Sequence, residues 1–109
     1  MTSFLFHNLR LLDPRRDELL DGMQVLVEDG IVREVADRPI TSTAAQRIDL
    51  AGRTLMPGLI DAHIHVVLTE VNIRLLSDQP LTLVSAKASA SMRAMLMRGF
   101  TTLRDTGGA

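Results

Sequence analysis

The feature that most constrains this chain is a change of sequence pattern at Pro57-Gly58. Before it, short β-type runs alternate with turn residues. Residues 4–12 are rich in apolar side chains and stop at Asp13-Pro14, with the charged loop Arg15-Arg16-Asp17-Glu18 behind them. Residues 23–27 and 31–35 flank Glu28-Asp29-Gly30, where Asp-Gly supplies the positive φ that a tight hairpin turn needs. Residues 38–46 are polar and contain Pro39, Thr41, Ser42 and Thr43, as expected of a surface connection. A second hairpin is predicted between residues 47–50 and 54–56, around Ala51-Gly52-Arg53. The first 56 residues are therefore expected to form several short antiparallel strands.

After Gly58 the pattern is different. Residues 59–68 are almost continuously apolar except at Asp61, His63 and His65, the signature of a strand buried on both faces. Residues 82–98 place Val84, Ala88, Met92, Met95 and Leu96 near helical spacing, with Asp78 and Pro80 as start signals and Gly99 as the stop. A β-branched run follows at residues 100–104, ending in Asp105-Thr106-Gly107-Gly108. Strand, helix, strand is a βαβ unit, so the two strands should be parallel with a right-handed crossover.

Composition narrows the possible functions. With three phenylalanines and no tryptophan, tyrosine or cysteine among 109 residues, any core must be aliphatic. A disulfide framework or thiolate metal site is ruled out. A net charge of −1 without a basic cluster makes nucleic acid and anionic membranes unexpected partners. The first residues carry no basic segment followed by a long apolar one, and no stretch approaches the ~18 apolar residues of a membrane span. A cytoplasmic protein acting on a small-molecule substrate is expected.

Two of the three histidines, His63 and His65, stand two apart on the predicted buried strand. Alternation puts them on one face together with Asp61. Burying such groups without partners costs on the order of 1–3 kcal/mol for each polar group. A divalent metal ion would offset that cost, because imidazole is a good ligand for zinc and its neighbours and the cation also stabilises a carboxylate. The competing reading is a hydrogen-bonded structural pair. The end of a strand entering a βα connection favours the metal, since that is where barrel enzymes keep their chemistry.

The run D-L-A-G-R-T-L-M-P-G-L-I-D-A-H-I-H at residues 49–65 closely resembles the P-G-(L/F)-(I/V)-D-x-H-x-H signature of the amidohydrolase superfamily of metal-dependent hydrolases. The hairpin around Asp29-Gly30 is similar to that family's V-L-V-E-D-G-x-I element. Residues 98–108, R-G-F-T-T-L-R-D-T-G-G, resemble the helix end and second barrel strand of its imidazolonepropionase-like and prolidase-like branch. The resemblance implies a (β/α)8 barrel carrying a small β-sandwich, with one or two metal ions, zinc above all, at the strand C-termini. His63 and His65 fall on the first-strand ligands. The resemblance places the remaining ligands on later strands: a carboxylated lysine or a glutamate, two histidines, and an aspartate serving as general base. It also implies hydrolysis of a C–N bond in an amide, dipeptide or cyclic amide, with the metal lowering the pKa of a water for attack on a polarised carbonyl.

A complete barrel takes about 250 residues. Residues 1–56 are thus expected to be the N-terminal part of the composite β-sandwich, and residues 57–109 the first strand, helix and second strand of an incomplete barrel. The general base is expected beyond residue 109, leaving this chain inactive alone. Lys87, on the helix, is not nominated as a ligand, and His7 is read as a surface or core residue. Asp61 either ligates metal or orients a ligand. Asp105 either touches substrate or caps the next loop, Gly107-Gly108 reads as a turn, and Met92, Met95 and Met97 belong to the helix's core and flank. One rival is a stand-alone, non-catalytic module that binds metal or self-associates through open strand edges. The other is a globular domain with a structural H-x-H. A homo-oligomer is expected.

Overall fold

The computed structural model describes residues 2–16 and 18–107; Asp17 in the charged loop and Gly108 in the glycine pair lie outside them. The chain divides into two compact units, Met1–Pro57 and Gly58–Ala109.

The first unit is one five-stranded sheet. Its strands are β1 (Ser3–Leu12), β2 (Leu19–Glu28), β3 (Ile31–Ala36), β4 (Gln46–Asp49) and β5 (Thr54–Leu55). The order is β3-β2-β1-β4, with β5 also paired to β1. The β2–β3 hairpin closes where predicted, with Asp29 at φ 49° and Gly30 at φ 79°. This pair of left-handed residues matches the twist of the strands it joins. Leu5, Leu26, Ala36 and Ile40 make the core, and Leu5 is fully buried. Ile40 comes from the connection expected to lie on the surface; its N–H donates to Gln24 Oε1 at 3.0 Å, which anchors the loop over the sheet.

The second predicted hairpin does not form. β4 and β5 do not pair with each other; each runs parallel to β1, so the sheet is mixed and not antiparallel throughout. The cause lies in β1. Asn8 takes φ 53° and the register against β2 slips between Phe6 and Leu9. Beside this bulge the His7 and Asn8 carbonyls accept the N–H groups of Leu50 and Gly52, at 3.0 and 2.7 Å. Asn8 Nδ2 also donates to Asp49 Oδ1 at 2.8 Å. The tight turn at Ala51-Gly52 therefore wraps the bulge, and the strands on either side add to the same edge of β1.

The second unit contains β6 (Leu59–Ile64), α1 (Ile73–Ser77), α2 (Leu81–Met97) and β7 (Phe100–Asp105). β6 and β7 pair in parallel, as the βαβ reading requires. Pro80 precedes α2 as its N-cap and Gly99 follows the C-cap residue Arg98, with a φ of 96° that suits a glycine stop. α1 went unpredicted; Asn72 caps it by accepting the Arg74 N–H at 3.1 Å. Among the described residues the fold is mixed α/β and mostly sheet, and two parallel strands do not close a barrel. The strand is also shorter and more open than predicted. It ends at Ile64, Ile60 is 69% exposed, and only Ile64 is buried, because β7 is its single partner.

Candidate metal centre

The site grows from an irregularity in the β6–β7 ladder. The pairing runs Leu59 with Phe100, Ile60 with Thr102, Asp61 with Leu103 and Ile64 with Asp105. β7 therefore carries one extra residue at Thr101, and β6 carries one between Asp61 and Ile64. A bulge re-aims the side chains within it, and this one contains His63. Asp61 Oδ1 accepts the His63 N–H at 3.1 Å, so this carboxylate fastens the bulged backbone. Gly58 meets the Thr101 bulge: a Cβ there would come within 2.6 Å of Thr101 Cβ.

His63 and His65 are brought together. Their ring centroids lie 5.2 Å apart with the planes at 82°, and both residues are exposed. The burial cost that argued for a metal therefore does not arise in this chain. The support for the pair is instead its orientation. His65 Nδ1 lies 2.6 Å from the Gly107 carbonyl oxygen. A carbonyl can only accept, so Nδ1 carries the proton, and in the neutral ring the lone pair is on Nε2. That is the state of a metal-ligating imidazole steadied by a backbone carbonyl. The pair thus fits a metal ion as two nitrogen donors. Among the described residues no group of three or more histidine, aspartate or glutamate side chains gathers to complete a site.

Asp105 ends β7 beside this pair. Its carboxylate accepts the Gly107 N–H at 2.9 Å and the Val66 N–H at 3.3 Å. The Gly107 amide holds its pKa below the usual value, helped by the Val66 amide and the nearby His65 and opposed by desolvation. Thr106 N–H donates to the Ile64 carbonyl at 3.0 Å, so the ends of both strands are stitched together.

Lys87 points elsewhere. From α2 its ammonium pairs with Glu70 and donates to Gln79 Oε1 at 3.1 Å. Gln79 Nε2 also reaches Glu70 Oε1, at 3.0 Å, and the Gln79 bond is the first cause of a lowered Glu70 pKa, ahead of Lys87. This clasp joins residues 9 and 17 positions apart, beyond any local spacing signal. His65, Thr69, Lys87 and Met95 line a cleft of about 440 Å³. His7 belongs to the first unit, on β1 opposite Asp49.

Comparison with known proteins follows the same lines as the motif. The amidohydrolase family model matches residues 46–107, more than half the chain, and the chain belongs to that family. It corresponds to the N-terminal portion of the enzymes it matches. A solved amidohydrolase is 55% identical with a TM-score of 0.92, aligned over 99% of this chain and 26% of its own. A prolidase solved with N-methylphosphonate-L-proline is 39% identical, also at 0.92, over 99% and 26%. The dihydroorotase of Trichlorobacter lovleyi is 40% identical over 64 residues, which is 59% of this chain and 15% of that enzyme. The chain therefore spans about a quarter of these solved structures and less of the curated relative.

Proposed function

We propose that this chain supplies the first two metal ligands of a metal-dependent hydrolase that cleaves C–N bonds in an amide, dipeptide or cyclic amide. The observation that carries this reading is the His63–His65 pair, with the His65 Nδ1 proton held on Gly107 so that Nε2 of the neutral ring is the nitrogen left to bind a metal. Membership of the amidohydrolase family and 39% identity to a prolidase support it and favour a dipeptide substrate.

A divalent ion, zinc by the chemistry of its ligands, would supply a water of lowered pKa and a polarised carbonyl. The chain's own part is positional. Asp61 fixes the backbone at His63, Gly107 fixes the tautomer of His65, and the Gly58–Thr101 contact sets how closely the strands approach. Further barrel strands would supply the other ligands and the general-base aspartate, so the 109 residues alone are inactive. By the same proposal the working protein acts in the cytoplasm, as a homo-oligomer, on a small-molecule substrate.

The test is metal analysis of a longer protein that includes the later strands. Bound zinc or manganese, with hydrolysis abolished by His63→Ala, is the expected result; a metal-free protein whose activity survives that change overturns the reading. One observation favours a second reading, a self-associating module: Leu81, Leu96 and Met97 are 83%, 59% and 76% exposed. Sedimentation of the 109-residue chain distinguishes it, since a concentration-independent monomer excludes self-association.

A further inference from the structure

We infer that Asp105 is a positioning residue for His65, acting through the Gly107 backbone to select which imidazole nitrogen is presented to a metal. The inference rests on the proposed metal role of His65, and its primary readout needs no metal.

Three contacts carry it. Asp105 accepts the Gly107 N–H at 2.9 Å, a local bond that turns the chain after β7. The carbonyl of the same Gly107 accepts the proton of His65 Nδ1 at 2.6 Å. The other carboxylate oxygen of Asp105 accepts the N–H of Val66, the residue after His65, at 3.3 Å. One carboxylate thus holds the backbone next to the imidazole on β6's side and the acceptor of the imidazole proton on β7's side. The ring is fixed at both ends, its main chain through Val66 and its Nδ1 through Gly107.

The turn itself needs this support. Gly107 has φ 122°, a conformation closed to most side chains, so its carbonyl is aimed by a residue with wide backbone freedom. The Asp105 acceptor holds the Gly107 amide itself, while the Thr106 N–H on the Ile64 carbonyl pins only the residue before it. Both oxygens of Asp105 are engaged by backbone amides, which makes it a clamp between two loops. A charged acceptor is also the stronger partner for two amides than a neutral one.

Long-range ¹⁵N–¹H NMR of the full 109-residue chain, at a pH where imidazoles are neutral, reads the tautomer directly. The wild type is expected to hold His65 in the Nδ1–H form. Asp105→Ala should shift it toward the Nε2–H form favoured by free histidine, with His63 and the Leu5 amide unchanged as controls of folding. Asp105→Asn keeps one acceptor oxygen and should retain most of the Nδ1–H form; it also serves if the alanine variant does not fold. Zinc alone, titrated into each variant, should bind about 10-fold or more weakly to Asp105→Ala than to wild type. A wild-type His65 in the Nε2–H form, or an Nδ1–H form that survives Asp105→Ala, overturns the inference. If no variant binds zinc while the tautomer responds as expected, the positioning of His65 by Asp105 stands, and the metal reading is decided on the longer protein that carries the later strands.

Discussion

The two units hold themselves together differently. The first closes a core: Leu5 at full burial sits with Leu26, Ala36 and Ile40 on one face of a five-stranded sheet. Among its described residues the second buries only Ile64, Val84 and Ala88 and leaves Ile60, Leu81, Leu96 and Met97 open to solvent. Its order comes more from close approach and polar contacts, namely Gly58 against the Thr101 side chain, the Asp61 and Asp105 carboxylates on main-chain amides, and the Glu70–Lys87 side-chain clasp. It is the second kind of order that carries the candidate metal ligands.

Three substitutions put that contrast at risk, in falling order of effect. Leu5→Ala removes a side chain with no exposed surface and is expected to cost about 2–5 kcal/mol by chemical denaturation. The lost amide protection should be concentrated in β1 and β2. A loss below 1 kcal/mol would mean that the first unit lacks a cooperative core. Gly58→Ala forces a methyl against Thr101 and is expected to cost about 1–3 kcal/mol, as overpacking does. Here β6 and β7 should lose hydrogen-exchange protection while β1 to β3 keep theirs. Loss spread evenly over both units would break the distinction.

Arg15→Ala is the mildest change, because the Arg15 side chain is 86% exposed. Its side-chain hydrogen bond is the main cause of the Asp13 pKa falling to about 2, joined by the Arg15 backbone amide. A depressed carboxylate pKa gives stability that is present above the unfolded value and is lost as pH falls through the folded one. The window here runs from about 3.8 down to about 2. Removing the guanidinium should raise the Asp13 midpoint, followed by ¹³C NMR, part of the way towards 3.8, with stability at neutral pH almost unmoved. An unchanged midpoint would show that the backbone amide alone sets the titration.

What could be read from the sequence was local. Asp29-Gly30, Gly99 and the spacing from Val84 to Ala88 each follow from chemistry within a few residues, and each stands where predicted. Pro57-Gly58 marks both the change of pattern and the division between units. The misreadings were non-local. Nothing around Ala51-Gly52 states that its flanking strands prefer β1 to each other; that choice is made by Asn8, more than 40 residues earlier. The strand at residues 59–68 looked buried because apolarity reports what a segment tends to cover, and here a single neighbour covers it. The histidine pair was visible from spacing alone. The Gly107 carbonyl that orients His65 was not, since a backbone acceptor 42 residues away leaves no trace in residue identity.

The ladder irregularities also bear on how such a chain can change over time. β6 and β7 fall out of step at Thr101 and return to step before Ile64, and β1 and β2 do the same between Phe6 and Leu11. In each case one strand's extra residue is cancelled by its partner's. A single-residue deletion in either strand would turn every later side chain to the opposite face, carrying His65 away from Gly107 in one unit and Leu11 from Leu20 in the other. A deletion in β6 that keeps this register therefore needs a matching deletion in β7.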